Sequence, residues 1–177
     1  TESAALHEYK QVEKDWLGTF EEMSRSDHVP VHPLRLIKEV REFFPREAVA
    51  VVDGGNTTVW SLYLNRVYEP NTYWSRASGD SGHLGAGISY AIAAKLAAPS
   101  RQVYCITGDG SFGFNIQELE TVSRLKLPLT FVVANDSAYG MIRSGQTLAY
   151  AKRYVGVDLS DIRYDKVAQA MNCYGDS

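Results

Sequence analysis

Asp109 and Asn135 stand at the ends of two apolar segments that have the composition of buried parallel strands. The segments are VYCIT at 103–107 and LTFVVA at 129–134. Positions 109 and 135 are 26 residues apart, which suits one helix and one returning strand. A right-handed crossover would make the two strands neighbours at a spacing of about 4.8 Å. We therefore expect the two side chains to converge beyond one edge of a parallel sheet, where ligands bind in such folds.

The residue types at this point predict a magnesium site. One carboxylate (Asp109), one amide oxygen (Asn135) and one backbone carbonyl form a hard oxygen donor set with a single negative charge. Mg²⁺ prefers such a set when phosphate oxygens complete its octahedral shell. We expect the backbone carbonyl to come from Ser137, in the turn that follows Asn135.

Two glycine-containing turns next to this site predict the binding of a diphosphate. Gly110 and Ser111 lie where a helix begins, and helix N-termini attract anions. The second turn, at 53–55, leads into Asn56 and Thr57 at the start of another helix. Glycine lets the backbone approach a ligand, while Asn and Thr supply side-chain donors. Two such turns around one cation suit a diphosphate better than a single phosphate.

The same residues permit an alternative interpretation as a dinucleotide-binding oxidoreductase. Residues 108–113 read G-x-G-x-x-G, and Asp136 lies 23 residues beyond Gly113, near the place of a ribose-binding acid. Asp109, however, would place a carboxylate inside the pyrophosphate cradle. At about 4 Å and an effective dielectric constant of about 20, two such charges repel each other by about 4 kcal/mol. This repulsion favours the metal-diphosphate hypothesis.

The elements that must position these residues alternate along the chain in the manner of an α/β protein. The pattern predicts a three-layer α/β/α domain with a mostly parallel sheet, preceded by an amphipathic helix with apolar residues from Leu6 to Met23 at helical spacing. The predicted strands are 48–55, 72–75, 103–107 and 129–134, and the predicted helices are 33–44, 57–68, 88–98 and 114–125.

The chain divides into a connector and a ligand-binding domain. Residues 1–32 are interpreted as a helical connector from a preceding domain, with His28 and His32 in a polar, solvated linker. Residues 33–177 form the predicted binding domain. Because doubly wound domains normally continue with another strand and helix, we expect this domain to extend beyond Ser177.

The composition of the chain excludes several classes of protein. The chain has 177 residues, of which 45% are hydrophobic, with 18 basic and 21 acidic residues and a net charge of −3. These values exclude global disorder, and no apolar stretch approaches the ~20 residues of a membrane span. The absence of a basic block argues against nucleic-acid binding. Two cysteines, Cys105 in the predicted core and Cys173, cannot form a disulfide framework, which indicates either a reducing compartment or indifference to the redox state. We expect a cytoplasmic location.

The segment GDGSFGFNIQELETVSRLKLPLTFVVAND, residues 108–136, resembles the thiamin-diphosphate motif, which begins with GDG and ends in Asn. From about Pro33 to Gln146 the chain resembles the diphosphate-binding (PP) domain of the acetolactate synthase, benzoylformate decarboxylase and glyoxylate carboligase group. The resemblance implies thiamin diphosphate and Mg²⁺ as cofactors. It implies that Asp109, Asn135 and the Ser137 carbonyl bind Mg²⁺. The diphosphate would be bound by Gly110, Ser111, Asn56 and Thr57.

The resemblance also extends to the glycine-rich loop SGHLGAG at 81–87, which is similar to the family's loop that bends thiamin into a V. Gly82 matches the residue whose carbonyl meets the aminopyrimidine amine, and Leu84 matches the apolar wedge beneath the bent cofactor. His83 is the ionisable side chain of this loop. As a candidate catalytic residue, it would face the substrate and titrate near neutral pH.

The segment after the metal motif resembles the family's helix that lines the substrate pocket. Met141 and Ile142 stand at the substrate-contact positions. Gly145 departs from the family, since many plant and bacterial acetohydroxyacid synthases carry Trp there. This difference argues against their branched-chain substrate preference.

The family needs a second domain for catalysis. A pyrimidine-binding (PYR) domain of the same or a neighbouring subunit supplies a glutamate, and the sequence contains no part that resembles it. The resemblance thus implies a lyase or transferase acting on a small 2-oxo acid, as part of a homo-oligomer, and a fragment that is inactive without its PYR domain. A degenerate, non-catalytic PP-like domain is the remaining alternative.

Overall fold

The computed structural model describes residues 3–75 and 82–177. The chain forms two compact units. The first consists of Thr1–Phe44 and Trp60–Arg66, and the second of Pro45–Val59 and Val67–Ser177. Across the described residues, no helix has the length and apolar character needed to cross a membrane.

The first unit contains the predicted amphipathic helix and the helix that follows the linker. Helix α1 is Ala4–Thr19, a 3-10 helix spans Met23–Arg25, and α2 is Pro33–Phe43. Proline at the first helical position suits the start of α2, and the Nδ1 atom of His32 accepts a hydrogen bond from the Leu34 amide at 3.2 Å. His32 is half-buried, so the interpretation of this histidine as a solvated linker residue is wrong: it caps a helix.

The second unit contains a four-stranded, all-parallel sheet. Its strands are β1 Val49–Val52, β2 Tyr73–Ser75, β3 Val103–Gly108 and β4 Leu129–Ala134, in the order β2-β1-β3-β4. Parallel sheets occur where both faces are covered, which explains the near-continuous apolar runs of these strands. The sheet and its flanking helices confirm the predicted α/β class.

The remaining helices lie between and after the strands. They are α3 Asn56–Leu64, α4 Ala86–Ala97, α5 Asp109–Phe112, a 3-10 helix at Ile116–Glu118, α6 Leu119–Arg124, α7 Gly140–Ala149 and α8 Tyr164–Ala170. The helix predicted over about 114–125 is confirmed over most of its length: the 3-10 turn at Ile116–Glu118 continues directly into α6, so the helical segment begins two residues later than predicted. Asn115 has a non-helical backbone (φ −131°, ψ 25°) and separates α5 from the helical turns that follow.

The core of the second unit forms on both faces of the sheet. One face packs against α4 through a cluster of Val49, Val51, Ala91, Ala94, Val103 and Cys105. The residues that alternate with them, including Ala50, Tyr104 and Ile106, are equally buried. Cys105 is fully buried, which confirms its prediction as a core residue.

We expect Ile106→Ala to lower the free energy of unfolding by about 3 kcal/mol, because it removes three buried carbons from the central strand β3 and leaves a cavity. Urea denaturation of the chain measures this change. Leu148→Ala is the control, since that side chain is 88% exposed and its loss should cost less than about 0.5 kcal/mol. Equal effects of the two substitutions would contradict the assignment of Ile106 to the core.

Candidate functional site

The register between β3 and β4 brings the two predicted metal ligands to one edge of the sheet. Gly108 lies opposite Ala134, and Asp109 and Asn135 directly follow these paired residues. Asp109 is only 3% exposed, and its Oδ2 atom accepts a hydrogen bond from the Ala138 amide at 3.2 Å. The turn that starts at Asn135 therefore folds back onto the Asp109 carboxylate.

Local and long-range hydrogen bonds set the shape of this turn. The Oδ1 atom of Asn135 accepts from the Ser137 amide at 3.1 Å, as in an Asx turn. Ser137 has a left-handed backbone, with φ at +51°. Its carbonyl accepts from the Leu159 amide at 2.8 Å, and Asn135 Nδ2 donates to the Ile162 carbonyl at 3.3 Å. The segment 157–162 thus supports the turn from one side, which no local pattern indicated.

The donor set at this point fits a divalent cation that prefers oxygen. The Asp109 carboxylate, the Asn135 amide oxygen and the Ser137 carbonyl each accept a protein hydrogen bond and have further lone pairs available. Among the described residues there is no group of three or more His, Cys, Asp or Glu side chains that could hold a metal. A cation here would therefore take its other ligands from a bound anion or water, which is typical of Mg²⁺ sites.

The electrostatic environment of Asp109 also favours a bound cation. Burial raises the pKa of its carboxyl above the ordinary value, and the charge of Asp136 raises it further. The backbone N–H groups of Gly110 and Ala138 oppose this shift by donating to the carboxylate. A cation bound at the carboxylate would offset both the burial and the repulsion by Asp136.

The strand order predicts a ligand-binding crevice at the carboxyl ends of β1 and β3. These central strands are neighbours, and the chain proceeds outward from them in opposite directions, to β2 and to β4. Ligands bind at the carboxyl ends of parallel strands at such a switch point. Asn56 begins α3 shortly after β1, and Gly110 lies in the helical turn after β3. Both predicted phosphate-binding turns therefore border the crevice.

In the first of these turns, the threonine hydroxyl is already hydrogen-bonded to the backbone of the turn. The Thr57 hydroxyl donates to the carbonyls of Asp53 and Gly54, at 3.2 and 3.1 Å, and the residue is buried. A predicted phosphate contact by Thr57 would therefore use its amide rather than its hydroxyl proton. Asn56 is half-buried and lies near the metal turn: a Cβ atom on Gly140 would be 3.2 Å from Asn56 Nδ2 and 2.7 Å from Asp136 Oδ2.

The glycine-rich loop packs against the turn that follows β1. Ser81 lies outside the described residues, whereas Gly82 and His83 are exposed and Leu84 is half-buried. A Cβ atom on Gly54 would lie 3.0 Å from both the His83 carbonyl oxygen and Leu84 Cδ2. The predicted wedge residue therefore sits beside one of the two phosphate-binding turns.

The other phosphate-binding turn contacts the same loop through Gly85. The Gly85 amide donates to Ser111 Oγ at 2.9 Å, and Asn115 Nδ2 donates to the Gly85 carbonyl at 2.8 Å. Gly85 has φ at +91°, and a Cβ atom there would lie 2.6 Å from Phe114 Cβ. Asn115 was missed by the sequence analysis, because its partner is 30 residues away and no local signal marks it.

Two tyrosines next to Asp109 were also missed. The Tyr164 hydroxyl donates to the Asp109 carbonyl at 3.2 Å. The Tyr139 ring covers Gly110 so closely that a Cβ atom there would lie 2.7 Å from Tyr139 Cε1. Both aromatic side chains come from segments that follow β4, so their positions depend on the fold of the later chain.

The predicted pocket residues lie on α7. Met141 and Ile142 directly follow Gly140 and are 43% and 57% exposed. Their role in a substrate pocket, like the catalytic role of His83, stays a prediction.

Comparison with known proteins gives one consistent family. Residues 53–176 match the family described as thiamine pyrophosphate enzyme, C-terminal TPP binding domain. An acetolactate synthase of Bacillus subtilis is 35% identical over 170 residues, covering 96% of this chain and 28% of that protein. A 2-hydroxyacyl-CoA lyase 2 of Caenorhabditis elegans is 34% identical over 147 residues, covering 83% and 22%.

A solved structure shows the same fold. The thiamine diphosphate-dependent 4-hydroxybenzoylformate decarboxylase of Rhodococcus jostii RHA1 superimposes with a TM-score of 0.71 at 28% identity, covering 78% of this chain and 26% of that one. The chain thus spans less than a third of the length of each of these three proteins. Since the family match begins at Asp53 and includes both strand ends that form the site, the chain belongs to the thiamine pyrophosphate enzymes, in the family of their C-terminal TPP-binding domains.

Proposed function

We propose that this chain binds thiamin diphosphate through Mg²⁺, as the diphosphate-binding domain of an acetolactate synthase-like decarboxylase or carboligase that acts on a small 2-oxo acid. The observation that carries the proposal is the hydrogen bond from the Ala138 amide to Asp109 Oδ2, at 3.2 Å. It folds the turn with Asn135 and Ser137 onto the buried carboxylate, which supports a shared cation site for their three oxygen donors. The family match supports the nature of the ligand.

The cofactor, when bound, supplies the nucleophilic carbon and the electron sink for breaking or forming a bond next to a carbonyl. The chain's own residues bind and orient it. Asp109, Asn135 and the Ser137 carbonyl would hold Mg²⁺, while Gly110, Ser111, Asn56 and Thr57 would bind the diphosphate. This division suits the charges, because the cation separates the Asp109 carboxylate from the phosphates.

The loop at 82–87 would orient the thiamin part of the cofactor. Leu84 is half-buried against the turn at Gly54, where an apolar side chain can enforce a bend by filling space. Among the described residues, none would lie within 4 Å of a Cβ atom on Gly82, which supports an approach of the cofactor to the backbone at this point. His83 is exposed in the same loop and is our candidate for moving a proton at the substrate.

The complete active site would need a partner. We propose that a PYR domain, of the same or a neighbouring subunit in a homo-oligomer, supplies the glutamate that contacts the pyrimidine ring. The aligned part of this chain covers only 28%, 22% and 26% of the three similar proteins, which leaves room for such a domain. Met141 and Ile142, exposed at the start of α7, would then line the 2-oxo acid pocket.

The alternatives have less support. A dinucleotide-binding oxidoreductase would leave the buried Asp109 carboxylate beside a pyrophosphate, and the family match favours thiamin diphosphate instead. A degenerate domain would be expected to have lost one or more of the oxygen donors. Asp109, Asn135 and the turn that joins them are all present.

We expect Asp109→Asn to abolish the Mg²⁺-dependent binding of thiamin diphosphate, because it removes the only charged oxygen of the proposed cation site. Isothermal titration calorimetry, with and without Mg²⁺, measures the binding.

Without metal, we expect the Asp109→Asn variant to melt at a higher temperature than the metal-free wild type at pH 7. The raised pKa of Asp109 means that its ionised form opposes folding above that pKa, and the neutral amide does not.

Asp15→Asn is the matched control, since it makes the same change of charge on α1, where the Asp15 carboxylate accepts from Gln11 and its backbone carbonyl accepts from the Thr19 hydroxyl. It should leave the cofactor affinity unchanged. An Asp109→Asn variant that binds as tightly as the wild type would refute the assignment of the cation site.

We also expect the 177-residue chain, supplied with Mg²⁺, thiamin diphosphate and pyruvate, to release no carbon dioxide above the rate of the cofactor alone. The physical reason is that the pyrimidine-contacting glutamate of the family belongs to another domain. A coupled assay for carbon dioxide measures the rate. Decarboxylation by the isolated chain would contradict the proposed division of the active site between two domains.

A further inference from the structure

A second buried carboxylate, Asp53, lies at the end of β1 beside the proposed diphosphate site. It is 2% exposed and directly precedes the turn at Gly54. Burying a carboxylate is costly unless hydrogen bonds satisfy its oxygens. The contacts that satisfy Asp53 therefore show what the protein gains from this residue.

The carboxylate of Asp53 contacts three different segments. Its Oδ1 atom accepts from the Gly54 amide at 2.8 Å, within the turn after β1. Its Oδ2 atom accepts from the Thr107 hydroxyl of β3 at 3.2 Å, two residues before Asp109. A Cβ atom on Gly87, at the start of α4, would lie 2.8 Å from Oδ2, so the backbone of that helix packs directly on the carboxylate.

The backbone carbonyl of Asp53 adds a fourth contact region. It accepts hydrogen bonds from the hydroxyl groups of Thr57 and Thr58, in the first turn of α3. One residue thus joins the turn that precedes α3, the end of the strand that carries Asp109, and the helix that follows the loop at 82–85.

We propose that Asp53 is a positioning residue for the cofactor: through its hydrogen bonds it fixes the turn at Gly54–Asn56 relative to Asp109 and to the loop with Leu84. This inference rests on the proposed function. The hydrogen-bond geometry carries the role rather than the charge, because a second carboxylate charge near a diphosphate would weaken binding. An amide in the same place preserves that geometry. Its oxygen can accept from Gly54, and its NH₂ group can donate to Thr107, whose hydroxyl also bonds to the Gly108 carbonyl at 3.2 Å.

The test compares Asp53→Ala with Asp53→Asn in the binding of thiamin diphosphate with Mg²⁺, measured by calorimetry well below the melting temperature of each variant. We expect Asp53→Ala to weaken the affinity by about tenfold, since both side-chain hydrogen bonds that fix the turn are lost. Asp53→Asn should retain the affinity within about threefold. A loss by both variants alike would overturn the geometric role, as would a wild-type affinity in Asp53→Ala.

A second pair of variants separates positioning from stability. Gly87→Ala retains the Asp53 residue but adds a methyl group 2.8 Å from the Asp53 Oδ2 atom, which is too close for the carboxylate to keep its position. It should weaken binding although alanine is the better helix former, and it decides the question if Asp53→Ala does not fold. Val122→Ala, in a core cluster on α6, should lower the melting temperature without changing the affinity.

The outcomes distinguish the two proposals. If the wild-type chain binds thiamin diphosphate and both Asp53→Ala and Gly87→Ala bind it with the same affinity as the wild type, the role of Asp53 is overturned and the proposed function is not. A wild-type chain that shows no Mg²⁺-dependent binding of thiamin diphosphate overturns the proposed function and, with it, the positioning role. A weaker affinity in Val122→Ala equal to that in Gly87→Ala would reduce the effect to stability and overturn the inference.

Discussion

The pairing of β3 with β4 in a single register is the constraint on which the site depends. With Gly108 opposite Ala134, Asp109 and Asn135 leave the sheet side by side. A slip of one residue would turn every side chain of one strand to the opposite face. Close packing opposes this slip, because residues 103–107 of β3 are buried on both faces and side chains of different size, such as Tyr104 and Cys105, would have to exchange faces. The core thus determines the separation of two polar groups that lie outside it.

Two buried carboxylates at the ends of neighbouring strands have different surroundings. Asp53, after β1, is satisfied inside the protein by the Gly54 amide and the Thr107 hydroxyl. Asp109, after β3, accepts from the Ala138 amide, and burial together with the charge of Asp136 raises its pKa. The unfavourable desolvation of the two carboxylates is therefore offset differently: by hydrogen bonds within the protein at Asp53 and, in our proposal, by a bound cation at Asp109.

Close backbone packing joins the segments around the crevice. Gly85 lies against Phe114, and Gly110 lies beneath the ring of Tyr139, both too close for a side chain. Ser111 and Asn115 then bond to the amide and the carbonyl of Gly85. Because Gly85 is held at both of its backbone groups, the loop can present its neighbouring residues in one arrangement, which the orientation of a bent cofactor in our proposal would require.

Much of the fold and part of the site could be predicted from the sequence, because the information is local. Apolar runs that end in polar residues located β3 and β4, and the types of Asp109 and Asn135 indicated the chemistry at the strand ends. The helical segment predicted over about 114–125 begins only at Ile116, after Asn115, whose backbone is non-helical and whose side chain donates to the Gly85 carbonyl 30 residues away. Likewise, the role of Asp53, the packing of Tyr139 on Gly110 and the support from 157–162 depend on groups far apart in the chain. Only the tertiary structure decided these contacts, since hydrogen bonds and packing between distant segments leave no periodic pattern in either segment.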